Sequence, residues 1–272
     1  MTIEQLGVQI GMPAEAITCA QRMLPAPADT KNFLLLLDRD EPAFLKTLKT
    51  MEKPNQLALA LFMQYAAEQA EKWVEKGLSE RIYVDTMRDL TLWYRECMRK
   101  TGEPGLIEWD WLCYSLKGRL LRLGRLQYQP RRLRESLVVG GDEFAAGAVV
   151  LEVHIPADGK LDRLAVADSL KQARRFFARG GYTLFHCHSW LLSPALHRLL
   201  PDGSNILSFQ NFFCIYDEDF YYREAEERVF GYIGQEISEY PETTHLQKTL
   251  KNFLRAGGKV GLGKGIILFQ TN

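Results

Sequence analysis

The first half of the chain repeats its apolar residues with a helical period. Leu57, Leu61, Tyr65 and Trp73 fall four or eight apart, with Phe62, Ala66 and Val74 beside them, so one face of a helix is predicted to be buried. Pro54 suits the first turn of that helix and Gly77 its end. A second helix is expected over residues 79–100, turning Ile82, Met87, Leu90 and Tyr94 inward and stopped by Gly102 and Pro104. A third is expected over 108–123 with Trp109, Leu112, Leu116 and Leu120 inward.

After Arg125 the period changes from helical to alternating. Residues 126–129 and 149–155 read as strands, separated by turn-rich VGGD at 139–142. In the second strand Val149, Leu151, Val153 and Ile155 point one way, and Glu152 and His154 the other. Beyond it the pattern predicts a helix over 162–178, a strand over 182–191, a short helix over 194–200 and a strand over 206–216. A helix over 244–255 follows, opened by a capping box of Thr244 and Gln247, and a last strand covers 265–270. Strands alternating with helices imply a sheet that is at least partly parallel and covered by helices.

Charge and cysteine content narrow the classes open to this chain. Lys plus Arg (34) balances Asp plus Glu (34), which gives no global attraction to nucleic acid or an anionic membrane. No stretch approaches 18 apolar residues, so no span is expected. Five scattered cysteines without a CxxC pair suit a reducing compartment, and the acidic N-terminus lacks signal-peptide features, so the expected location is cytoplasmic. The N-terminal 16 residues have the spacing of two short helices, as in a helix-turn-helix, but no Lys or Arg precedes Arg22 to meet phosphate. Lys117, Arg119, Arg122, Arg125, Arg131, Arg132 and Arg134 form the one local cationic run, suited to an anion or to a solvated face.

The candidate chemistry lies on the two central strands. Alternation puts His186, His188 and Trp190 on one face of their strand and Cys187 and Ser189 on the other. If the strands are neighbours, Glu152, His154, His186 and His188 converge, and a base titrating near neutrality can free an amine for attack. The same four side chains form a possible metal-ligand set. Cys187 points away from its flanking histidines and reads as a buried structural thiol.

The segments LGRLQY (123–128), VLEVHIP (150–156), CHSWLL (187–192), GSNILSFQ (203–210) and THLQ (244–247) occur in this order across nearly the whole chain. Together they resemble a family of bacterial acyltransferases that pair an N-acyltransferase N-terminal domain with a GNAT-like C-terminal domain. The resemblance implies an all-helical N-terminal domain (1–124) and a GNAT-like mixed β-sheet domain flanked by helices (125–272), an α+β architecture. It also implies transfer of an acyl group, acetyl by expectation, from acyl-CoA to a small-molecule acceptor amine; no metal is expected, and charge balance and hydropathy point to no nucleic-acid or membrane partner. A thioester would lie between the strands at 149–155 and 182–191, with Glu152, His154, His186 and His188 as catalytic candidates. Tyr216, Tyr221 and Tyr222 are candidate acids for the leaving thiolate, and Trp190, Arg125, Gln127 and Tyr128 are substrate-binding candidates. The loop PADGKLD (156–162) departs from the Arg/Gln-x-x-Gly-x-Gly/Ala pattern typical of such folds. Gly159 and Lys160, with Lys259 and Lys264 from the Gly-rich stretch 257–265, are therefore the candidates for CoA phosphates.

Overall fold

The computed structural model describes residues 1–269; the end of the expected last strand, at Gln270, lies outside them. Two compact units are present, one of residues 1–127 with 156–158, the other of 128–155 with 159 onward.

The first unit is helical: α1 (Ile3–Ile10), α2 (Ala14–Met23), α3 (Pro27–Arg39), α4 (Glu41–Lys49), α5 (Pro54–Glu75), α6 (Glu80–Thr101) and α7 (Trp109–Leu116). Helix α5 is its axis and packs against the other six. Every residue from Leu57 to Met63 is buried, as in a helix surrounded by partners, although Val74 near its end is exposed. Ser79 caps α6 through Ile82 N–H, and Gly102 ends it in the left-handed region. The apolar run predicted as one helix over 108–123 divides: α7 stops at Leu116, and Leu121–Leu123 is a short strand, β1. Gly118, with φ 67°, makes the break. Asp89, buried on α6, accepts hydrogen bonds from Trp111 Nε1 (3.2 Å) and Ser115 Oγ (3.0 Å) and so ties α7 to α6.

Strand β2 (Leu126–Arg132) begins in the helical unit and runs into the second. The second unit continues with a hairpin of β3 (Leu137–Val139) and β4 (Asp142–Phe144), β5 (Val149–His154), α8 (Arg163–Phe176) and β6 (Leu184–Ser189). Next come α9 (Asn205–Gln210), β7 (Cys214–Asp219), α10 (Glu224–Phe230), α11 (His245–Arg255) and β8 (Leu262–Leu268). The strand expected over 206–216 is thus a short helix followed by β7. Ser204 caps α9 through Ile206 N–H, and the apolar residues at 206, 207 and 209 serve the helix. Thr244 and Gln247 form the predicted capping box of α11. The sheet order in this unit is β2-β5-β6-β8-β7; β5 and β6 are parallel, while β8 is antiparallel to both β6 and β7.

Alternation gives the sheet two different faces. One carries Leu151, Phe185 and Cys187, all fully buried, and α8 lies on it: Tyr128 and Ser169 hydroxyls bond at 2.9 Å, and Arg174 sits 5.2 Å over the Phe185 ring. Burial raises the Cys187 thiol pKa well above its usual range, which keeps it protonated and unreactive. The other face is aliphatic at one end, where Val150, Leu184 and Ile266 pack with Val139 of the β3–β4 hairpin, and polar at the other.

Candidate active site

The pairing between the two central strands ends before the strands do. Val150, Leu151 and Glu152 pair with Leu184, Phe185 and His186, and there the ladder stops, although β5 continues to His154 and β6 to Ser189. Two parallel strands that part in this way open a wedge lined by backbone and by side chains from both. The wedge starts at a carboxylate and an imidazole.

Glu152 Oε2 lies 2.8 Å from His186 Nδ1, and His186 Nε2 lies 2.8 Å from the Tyr216 hydroxyl. An ionised carboxylate only accepts, so Nδ1 carries the proton and donates to Glu152, leaving Nε2 to accept from the tyrosine. Tyr216 belongs to edge strand β7, two strands from His186. It reaches across β8 because the β7 register slips between Ile215 and Asp217. Burial pushes its phenol up to about 12, so it holds its proton at neutral pH.

The predicted convergence of four polar side chains resolves into three groups. Glu152 and His186 touch each other. His154 turns to β2, where its Nε2 is 3.2 Å from Gln129 Oε1, and burial pushes its pKa down to about 4. His188, on the part of β6 beyond its pairing with β5, has Nε2 2.8 Å from Asp219 Oδ2 at the end of β7. Among the described residues no three His, Cys, Asp or Glu side chains are arranged to hold a metal ion. Both His186 nitrogens are already engaged.

Burial of a neutral His154 couples folding to pH. Its folded pKa is below the unfolded value of about 6.5, so the unfolded chain takes the proton first, and stability contributed at neutral pH is lost as pH falls from about 6.5 toward 4. The term is at most about 3 kcal/mol. We expect His154→Gln to lose less of its melting temperature than the native chain between pH 7 and pH 5 in a thermal-unfolding series; equal losses would remove His154 as the cause.

Other predicted contacts are placed differently. Gln127 and Tyr128 are buried, Gln127 beside Asp89 and Tyr128 bonded to Ser169, so neither faces a ligand. Trp190 packs partly buried against the cluster around Leu196, Tyr240 and Leu254. Arg125 is half-buried beside Asp158. Gly159, Lys160 and Lys259 are exposed, whereas Lys264 lies within β8 opposite His188 and pairs with Asp217 at 2.7 Å. Much of the cationic run is engaged: Lys117 and Arg119 with Glu41, and Arg122 with Asp158 in a two-pronged pair at 2.6 and 3.0 Å. That pair neutralises one of the two acidic residues of the 156–162 loop. The other, Asp162, caps α8 through Ala165 N–H at 3.0 Å. Asp219 and Gln129, which orient two of the histidines, have no signature in sequence spacing; Asp219 is 31 residues from His188.

Residues 1–118 match the N-acyltransferase N-terminal domain, and residues 120–267 match the GNAT-like C-terminal domain. The chain belongs to this GNAT-like acyltransferase family. No curated protein matches it. Among solved structures, the GNAT-like chain is similar to an acyltransferase mutant in complex with octanoyl-CoA, with a TM-score of 0.76, 24% identity and coverage of 97% of this chain and 87% of that one. An acyltransferase in complex with CoA and 10C-teicoplanin gives 0.70 at 22% identity, with 99% and 100% covered. One in complex with decanoyl-CoA and teicoplanin gives 0.67 at 22%, again with 99% and 100% covered. At these identities the likeness is one of fold.

Proposed function

We propose that this GNAT-like protein transfers an acyl group of medium length from acyl-CoA to a primary amine. The observation that carries the reading is the Glu152–His186–Tyr216 line at the point where β5 and β6 part. A thioester laid in the wedge has its carbonyl carbon open to attack. The amine nitrogen bonds to that carbon, the carbon–sulfur bond breaks, the nitrogen gives up one proton and the sulfur gains one.

Two groups divide the proton work. His188, held by Asp219, takes the proton from the amine, because an ammonium has no lone pair with which to attack. Tyr216 keeps its proton at neutral pH and turns it from His186 Nε2 to the departing thiolate, while His186, oriented by Glu152, holds the phenol in place and solvent returns the phenol's proton. The α8 N-terminus follows the wedge strand, and loop 156–162 leads into it, which suits the CoA diphosphate. Gly159 and Lys160 are its proposed contacts.

The neighbouring side chains are apolar as well. On the same face as Glu152 and His186, Val150, Leu184 and Ile266 lie buried beneath Val139 of the β3–β4 hairpin, a layer that a hydrocarbon tail enters by displacing that hairpin. The octanoyl- and decanoyl-CoA held by the similar structures agree with a chain longer than acetyl. Free-thiol release from acetyl-, octanoyl- and decanoyl-CoA in the presence of simple primary amines tests this. Turnover is expected to favour the longer donors, and absence of amine-dependent thiol release with all three would refute the function.

A further inference from the structure

Beyond the edge strand the chain places three consecutive aromatic side chains in solvent. Phe220, Tyr221 and Tyr222 are 52%, 77% and 42% exposed. Large apolar side chains grouped in this way on a surface mark a contact for something else. They are also continuous with the site described above: the Tyr221 ring centre is 6.3 Å from that of His188, whose partner Asp219 immediately precedes Phe220.

The charge of this surface has a definite sign. Residues 217–228 contain six carboxylates against two arginines, in a chain that is neutral overall. Asp219 Oδ1 is shielded from solvent and accepts no hydrogen bond, while Oδ2 faces His188 Nε2 at 2.8 Å and Lys264 Nζ at 3.5 Å. A CoA phosphate is repelled from such a surface, whereas an ammonium is drawn to it, and ring faces beside carboxylates add cation–π attraction. Most of the other carboxylate groups are already occupied: Asp217 by Lys264, Glu218 by Ser193 and Gly261 N–H, Glu227 by Tyr222. Few acceptors therefore remain for the hydroxyls of a sugar, while the flat ring faces stay open.

We infer that Phe220, Tyr221 and Tyr222 form the docking surface for the acyl acceptor, and that the acceptor is a primary alkylammonium attached to an aromatic ring through a short arm. The inference rests on the acyl-transfer reading for the identity of the reaction, and on exposure and charge for the surface. The aromatic ring stacks on Tyr221, the ammonium lies toward Asp219, and His188 then meets the nitrogen it must deprotonate.

The test uses the full chain with 2-phenylethylamine, hexylamine and glucosamine as acceptors and octanoyl-CoA as donor. The expected result is a lower KM for 2-phenylethylamine than for the other two. Tyr221→Ala should raise that KM about tenfold, with kcat and the octanoyl-CoA KM unchanged. Tyr221→Phe, which keeps the ring, should behave as the native chain, and added salt should lower kcat/KM for the cation. Tyr221 is mostly exposed, so folding is not at stake, and an unchanged circular-dichroism spectrum is the check. Equal KM values for the three amines, a preference for glucosamine, or no response to Tyr221→Ala would overturn the inference. Saturation-transfer NMR of 2-phenylethylamine without acyl-CoA separates the two readings. Ring contact that disappears in Tyr221→Ala while no thiol is ever released keeps the surface and removes the acyl-transfer reading; turnover without that contact does the reverse.

Discussion

Replacing His186 by alanine is expected to lower kcat for acyl transfer about 10²- to 10⁴-fold, the range general acid–base groups contribute. Among the described residues the imidazole links Glu152 to Tyr216, at 2.8 Å on either side, so its removal takes a partner from the phenol and a donor from the carboxylate. Acyl-CoA affinity is expected to stay within a few-fold of native, because the wedge itself is made by the parting of β5 and β6. That split between kcat and affinity is the signature of a group used in the transition state. Tyr216→Phe should lose activity too, but less when the donor is a thioester with a more acidic leaving thiol, which needs no proton. Single-turnover kinetics on the two variants, with calorimetric titration of octanoyl-CoA, provide the measurement. A His186→Ala enzyme with native kcat would eliminate the relay.

The second large effect concerns stability. Gly263 and Gly265 sit inside β8, opposite Ser189 and Cys187, and the turn Trp190–Leu192 folds back so that the Leu192 backbone lies directly on Gly263. A Cβ at 263 would fall within the van der Waals radius of the Leu192 carbonyl, and backbone cannot move aside as a side chain can. Gly263→Ala is therefore expected to cost about 1–3 kcal/mol despite the lower strand propensity of glycine. A melting midpoint lower by several degrees in scanning calorimetry follows. An unchanged midpoint would show that the turn shifts freely. The stretch 257–265 thus owes Gly261, against the Asp219 carbonyl, and Gly263, against that of Leu192, to close backbone packing, a requirement that sequence alone could not distinguish from a phosphate cradle.

Several features were legible in the residue pattern because their causes are local. The apolar positions of α5, the Thr244 cap and the alternation that places Glu152 and His186 on one face all follow from periods of 3.6 and 2 and from hydrogen bonds within a few residues. Where local signals conflict, the pattern misleads. The apolar residues at 206–209 suit a buried strand and a short helix equally, and Gly118 can interrupt a helix or merely weaken it.

What the sequence by itself determined is the helical first half, the alternating second half, the face on which the polar residues stand and, by resemblance, the GNAT-like fold. The tertiary structure decided which of those residues meet. His154 turned toward Gln129, His188 toward Asp219, and only Glu152 and His186 remained together, joined by a tyrosine from a strand two places away. Alternation fixes the face a side chain occupies, but strand order, register and the slip in β7 fix its neighbours, and those depend on long-range pairing that no spacing along the chain records.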